Sequence, residues 1–272
     1  MALRQGLLGL GRNIDLLQRW LRFRLSASAL NPWRIPPLNS DTFRGKRVVI
    51  LGPAKTLFDD LEDIAVDSFD VIVRLNNGIA LALECDGRLG SRTDVLFHNL
   101  NEQGQRSAGS IPPALLLAHK VQYCVFPHWG FKGSKARLFE KKSELSAYPQ
   151  VSLAVPSVRF CEKLRRKLHG HQPTIGTSAI LFFLECDLRE LQLHGFTFFQ
   201  TPYVEGYNDT VKTSKDAREW VAASKVHDPA QEKRVILHEV AQARERGVKV
   251  VLGKNVAHHL HEVTDLPEMD HD

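Results

Sequence analysis

Short apolar runs recur along the chain, and each ends at Gly, Pro, Asn or Asp or runs into a polar stretch. Lys46–Leu51, Asp70–Leu75, Thr93–His98, Val121–Phe126, Val151–Val155, Leu191–Phe196 and Val248–Leu252 read as buried strands. Helical spacing fills the intervals. Leu57, Leu61 and Ile64 share one helix face, Ser157–His169 reads as a basic helix and Ser178–Leu188 as a buried one. Lys233–Arg246 is an amphipathic helix stopped by Gly247. Phe131–Pro149 is charged and either loop-like or helical, whereas 100–118 and 200–230 show no regular period. Strands alternating with helices predict an α/β fold with a mostly parallel sheet.

Ligands of parallel α/β sheets sit at strand ends, which singles out Asp70–Asn99. There Val71-Ile72-Val73 stops at Arg74-Leu75-Asn76-Asn77-Gly78, and Gly90-Ser91-Arg92-Thr93-Asp94 feeds Val95-Leu96-Phe97. Ordinary polar turns would give the same pattern, so the segment is a candidate and not yet a site.

Composition narrows the class. The 272 residues, 43% hydrophobic and 25% charged, suit a soluble globular protein with a substantial core. Pro-rich Asn31–Ser40 divides an N-terminal segment, 1–40, from a single domain, 41–272. Cys85, Cys124, Cys161 and Cys186 are widely spaced without a CxxC pair, which argues against a zinc ribbon or a disulfide framework and fits a reducing compartment.

The formal charge of +5 resides in residues 1–34, where six arginines face Asp15 alone. The body is therefore neutral, with no basic stripe of the kind that binds nucleic acid. Arg12, Asp15, Arg19 and Arg22 interrupt the apolar residues of this segment, so neither a spanning helix nor a secretory signal is expected. A basic amphipathic helix suits an anionic membrane surface, and equally suits packing on the protein's own domain or on a partner subunit.

Three constellations carry candidate chemistry. Gly52-Pro53-Ala54 lies between a strand and a helix, where backbone amides and the helix dipole favour an anion, although it is neither GxGxxG nor a P-loop. Pro173-Thr174-Ile175-Gly176-Thr177-Ser178 opens the apolar helix; its hydroxyls suit capping, or recognition of ribose, phosphate or carboxylate. His227-Asp228-Pro229 precedes the Lys233–Arg246 helix, with Asp228 as a cap and His227 as either a general base or a structural histidine. No metal is expected: the only Asp-x-Asp is the terminal Asp270-His271-Asp272, and His258, His259 and His261 lack ligand spacing and read as a solvated tail.

Taken in order, these segments resemble the sialylmotifs of the eukaryotic-type sialyltransferase family over roughly residues 46–252. Val48–Asp94 resembles the first motif, best at Arg74-Leu75-Asn76 and Gly90–Asp94. Pro173–Phe196 resembles the second, and His227 with Glu232 the last, His-x4-Glu. The resemblance implies a Rossmann-like fold of the GT-A-variant kind found in sialyltransferases. It also implies an inverting, metal-independent glycosyltransferase with no cofactor, moving a 2-keto sugar acid from a CMP-sugar to a hydroxyl of a glycan or glycolipid. By position, Gly52, Asn76, Thr174, Gly176 and Thr177 would bind the donor. His227 would be the base, Glu232 its support, and Tyr203, Tyr207 or Lys212 would assist at the phosphate.

Departures from the motifs are equally informative. The family's Gly-Asn-(Ser/Gly) is Gly52-Pro53-Ala54 here, Val48 or Val49 replaces its cysteine, and Cys186 lacks the corresponding partner. The third, aromatic motif is only faintly present in Tyr203–Tyr207. These differences leave CMP-sialic acid and CMP-Kdo both open as donors. They point to a divergent, non-secreted, bacterial-type enzyme of polysaccharide biosynthesis, in the cytoplasm and peripheral at the inner face of the cell membrane. The alternative is a catalytically silent homologue that binds nucleotide or glycan and scaffolds an assembly complex.

Overall fold

Seven strands form one parallel sheet in the order β5-β4-β3-β2-β1-β6-β7. They are β1 (Arg47–Leu51), β2 (Val71–Leu75), β3 (Val95–Phe97), β4 (Tyr123–Val125), β5 (Ser152–Ala154), β6 (Glu190–His194) and β7 (Lys249–Leu252), each within an apolar run named above except β6, which starts one residue earlier and ends two residues earlier than its run. The computed structural model describes residues 35–261 apart from Asp86, Gln105, Lys132 and Gly133. The expected membrane contact of the basic N-terminal segment lies outside the described residues.

The strands are continuously apolar because both sheet faces are covered. Val48, Ile50, Val71 and Val73 join one core, while Val49, Leu51 and Ile72 join another on the opposite face, as the two-residue period of a strand requires. The helices are α1 (Leu57–Asp60), α2 (Gly78–Glu84), α3 (Pro113–Ala118), α4 (Ser134–Leu145), α5 (Val158–Lys167), α6 (Ile175–Glu185), α7 (Ser214–Ala222), α8 (Pro229–Glu245) and α9 (Lys254–His261). Helix α6 is buried from Thr177 to Leu184 without a break. Its Phe183 ring lies 4.9 Å from that of Phe43, edge to face. Burying each such side chain contributes about 1.5–3 kcal/mol.

Three helices depart from the expected pattern. Helix α2 begins at Gly78, a residue that ordinarily ends helices. Helix α7 has only Ala217 and Val221 buried, too few apolar positions for a period, but Thr213 and Asp216 close a capping box at its start. The histidines read as a solvated tail instead lie on α9, which Val256 and Leu260 anchor in the core.

Connections from β1 to β5 step outward in one direction, and the chain then returns to place β6 on the other side of β1. That reversal opens a crevice beyond the carboxyl ends of β1 and β6. Its floor is made by two glycines. The Gly52 amide donates to the His194 carbonyl at 2.8 Å and the Ala54 amide to the Gly195 carbonyl at 3.0 Å. A Cβ on Gly52 would fall 2.3 Å from the Gly195 oxygen. Buried Asp60 secures the same point, accepting from the amides of Gly195 and Asn255 at 2.9 Å each.

These bonds correct the anion-cradle reading of Gly52–Ala54. Two of its three nitrogens already donate within the fold, and Pro53 has no N–H. Helix α1 starts only at Leu57 and spans four residues. Gly52 lets two backbones meet.

Candidate active site

Over this crevice lies a cavity of about 120 Å³ lined by Asn76, Thr174, Gly176, Thr177, Tyr203, Tyr207 and Glu232, together with the 195–201 loop. Gly52 sits beneath it, in an adjoining crevice shared with Tyr207. The structure thus gathers residues from five separate sequence segments, Pro53 and Ala54 among them, at one strand edge. A larger cavity, about 310 Å³, lies across the first turn of α6, but its walls are mostly carbon. The smaller one holds the converging polar groups, and on that ground it is the candidate centre.

Of the two Asp70–Asn99 strand ends, only one reaches the cavity. Asn76 adopts a left-handed conformation (φ 48°) as β2 ends, and its Oδ1 accepts from the Asn99 amide at 3.2 Å. Arg74 is 1% exposed and faces elsewhere. Its guanidinium donates to the Leu89 and Arg92 carbonyls and to Thr93 Oγ1. Burial pulls its pKa down to about 10. Asp94 accepts from the Ile72 amide at 2.8 Å and from Arg92. The Gly90–Asp94 turn is therefore a clamp on the sheet and not a ligand site.

The Tyr203–Tyr207 loop is tied to the ends of β1 and β2. Val204 N–H donates to the Pro53 carbonyl at 2.8 Å, and Asn77 Nδ2 donates to the carbonyls of Gly206 and Tyr207 at 3.0 and 3.2 Å. The two phenol rings pack 5.1 Å apart. Burial raises both phenols, Tyr207 to about 12 against the opposing pull of an Asn76 hydrogen bond, so both remain donors at neutral pH. Lys212 is exposed and does not line the cavity.

Thr174 caps α6, accepting from the Thr177 amide at 3.2 Å. The hydroxyls of Thr174 and Thr177 donate to Glu232, the former at 2.7 Å, and the Thr174 amide also reaches Glu232 at 2.8 Å. The amides of Ile175 and Gly176, at the first two helical positions, have no partner within an α-helix. Both residues line the cavity. This turn therefore presents two N–H groups and a positive helix end to an anion.

Glu232 is 1% exposed, and burial pushes its carboxyl up to about 7 despite three donors. His227 stands in the loop before α8, which Asp228 caps by accepting from the Gln231 amide at 3.0 Å. Its Nδ1 donates to the Gln172 carbonyl at 2.7 Å. Burial, then the like charges of Arg106 and His171, lowers its pKa below the ordinary histidine value. The 3.9 Å approach of Glu232 to His227 is therefore a meeting of two groups that both resist charging. With Nδ1 protonated, Nε2 carries the lone pair. His227 lines neither cavity and joins the site through Gln172 and Glu232.

No protein-family profile matches the sequence, and no curated protein does. Solved structures do match. A mammalian sialyltransferase is similar with 18% identity, over 88% of this chain and 86% of that one, at a TM-score of 0.54. A mammalian sialyltransferase in complex with Gal-beta-1-3GalNAc-ortho-nitrophenol is similar with 16% identity, with the same coverage, at 0.52.

The fold is that of the sialyltransferases.

The sialyltransferase-like fold accounts for the order of the motifs along the chain, at an identity low enough to make this a divergent example. The 197–201 loop was not among the residues singled out from the sequence. Phe198 and Phe199 both have positive φ, 50° and 66°, a strained conformation that clusters at functional sites. Phe196 presses on Gly176, where a Cβ would come within 3.1 Å of the ring. Its signal was the aromatic run Phe196-Thr197-Phe198-Phe199 directly after a strand. Among the described residues, no three His, Cys, Asp or Glu side chains converge on a metal-sized site, and no helix is long and apolar enough to cross a membrane.

Proposed function

We propose that the protein is an inverting glycosyltransferase that moves a 2-keto sugar acid from a CMP-sugar to an acceptor hydroxyl. The observation that carries this reading is His227. Its Nδ1–H is committed to the Gln172 carbonyl, so Nε2 is the basic nitrogen of a ring that stands 3.9 Å from Glu232, a residue lining the crevice with a positive helix end. Nε2 removes the acceptor proton as the acceptor oxygen bonds to the anomeric carbon and the bond from that carbon to the CMP oxygen breaks. The departing phosphate gathers charge that the Ile175 and Gly176 amides and the Tyr203 and Tyr207 phenols neutralise without a metal. Asn76 orients the nucleotide. The site's chemistry suits sialic acid and Kdo alike, since both offer a carboxylate next to the reacting carbon.

A catalytically silent nucleotide- or glycan-binding protein is the second reading. It is favoured by Pro53, which lines the cavity without a polar atom to offer, and by the internal bonding of its neighbours' amides.

Incubation with CMP-sialic acid and CMP-Kdo, with a panel of glycan acceptors, should release CMP from one donor equally well with and without EDTA. His227→Ala should reduce transfer by about 10²–10⁴-fold while still binding CMP. CMP binding without turnover in the wild type would favour the silent reading. Loss of turnover with EDTA would overturn the metal-free mechanism.

A further inference from the structure

The larger cavity, about 310 Å³, is within the range of about 300–1,000 Å³ typical of small-molecule sites. Phe131 after β4, Phe160 and Leu164 from the inner face of α5, and Pro173 and Val226 supply its apolar walls. Its polar margin is sparse and includes Arg165. Gln172 Nε2 already bonds His128 Nδ1 at 2.9 Å, which leaves its side-chain oxygen as an acceptor. Helix α5 carries Arg159, Lys163, Arg165, Arg166 and Lys167 with Glu162; Lys163 and Lys167 pair with Glu185 and Glu239 of other helices, and the three arginines keep this helix net positive.

Two contacts tie the cavity to the reaction. Gln172, which lines it, holds His227 through its carbonyl and donates its own amide to the Val226 carbonyl at 2.9 Å. Val226, also lining, is the residue directly before His227. The first turn of α6 divides the two cavities, with Pro173 and Ser178 facing one and Thr174–Thr177 the other. A group seated here is across the helix end from the other cavity and against the loop that carries His227.

We propose that this cavity takes the apolar portion of the acceptor, an acyl or aromatic aglycone whose linkage carries an anionic group that meets Arg165. The inference rests on the transferase reading and deepens it: the acceptor is an anionic amphiphile, not a free polar oligosaccharide.

The test starts with binding, which needs no turnover. Octyl phosphate, octyl galactoside and inorganic phosphate are titrated calorimetrically into the full chain, below micellar concentrations. Octyl phosphate should bind at least about tenfold more tightly than inorganic phosphate, because only its chain buries methylenes. Arg165→Gln should remove most of its advantage over octyl galactoside. Saturating CMP should leave the binding unchanged. Displacement by CMP would assign the cavity to the donor and overturn the proposal, as would equal affinity for octyl and inorganic phosphate.

Kinetics follow with methyl and octyl glycosides of one acceptor sugar. The octyl form should show a KM about tenfold lower at similar kcat. Cys161→Phe, which fills the cavity from α5, should erase that difference, and Phe131→Ala should reduce it if the filled variant fails to fold. A KM indifferent to the aglycone overturns the acceptor assignment. Octyl phosphate binding with no transfer from any CMP-sugar places the failure on the transferase reading and leaves the pocket standing.

Discussion

At Glu232 and His227 burial acts on both groups in the same direction, towards neutrality. The Glu232 carboxyl, pushed up to about 7, stays protonated in the folded chain over a range where the unfolded chain ionises. Below pH 4.5 the group is protonated in both states; as pH rises from 4.5 to 7 the unfolded state loses its proton first, so folding loses stability. The loss is on the order of 3 kcal/mol. Glu232→Gln keeps the shape and can still bond Thr174 and Thr177, but does not titrate. Urea unfolding at pH 5 and pH 8 should show wild type losing stability relative to the variant by that order; parallel behaviour would mean that Glu232 ionises as readily folded as unfolded. The imidazole tautomer of His227 should survive the substitution, because its partner is the Gln172 carbonyl and not the carboxyl.

The elements that build the crevice meet backbone to backbone. Between β1 and β6 the Gly52 amide bonds the His194 carbonyl, and a Cβ on Gly52 would fall on the Gly195 carbonyl, so no side chain fits there. Gly52→Ala forces a Cβ against rigid backbone and should cost at least about 1–3 kcal/mol, as overpacking does. Its Tm should fall by several degrees; an unchanged Tm would show that the crevice floor yields easily. Asp60→Ala removes an acceptor shared by the 195 turn and the start of α9, leaving buried N–H groups unsatisfied at about 1–3 kcal/mol. Because the turn leads into Phe196, CMP affinity should weaken with it. A variant that loses stability yet binds CMP normally would restrict Asp60 to holding α9.

Across the whole molecule, acid stability should be governed by buried histidines. Burial depresses His98 to about 4 and His128 to about 3. Each contributes stability in full above the unfolded value near 6.5, and loses it as pH falls towards its folded value, because only the unfolded chain takes up the proton. His128 also braces the wall between the two cavities, with its ring bonded to the Pro173 carbonyl and to Gln172. Stability of the wild type should decline between pH 6.5 and 4, and His98→Gln should flatten part of that decline. A profile unaffected by the substitution would remove His98 as a source of the acid sensitivity.

The seven strands and the parallel sheet were legible along the chain because strands covered on both faces must be apolar throughout, a one-dimensional signal. The same holds for the Asp228 cap on α8, where a local side chain meets a local amide, whereas at α6 the sequence offered three hydroxyls and the structure chose Thr174. Helices α7 and α9 were not legible, since so few of their residues are buried that the neighbours, and not the period, determine them. Asn76, Thr174, Tyr203, Tyr207 and Glu232 could be named from the order of short motifs, but only the fold placed them at one crevice. That fold also separated Asn76 from Arg74, two residues away: β2 ends at Leu75 and Asn76 turns into a left-handed conformation that breaks the strand period, so it reaches the cavity while Arg74, still within the strand, clamps the sheet. The sequence alone determined the strands, the helix caps and the residues worth testing. The tertiary structure decided which of them share a site and gave the cavity beside His227, because both depend on contacts between segments that the chain order leaves far apart.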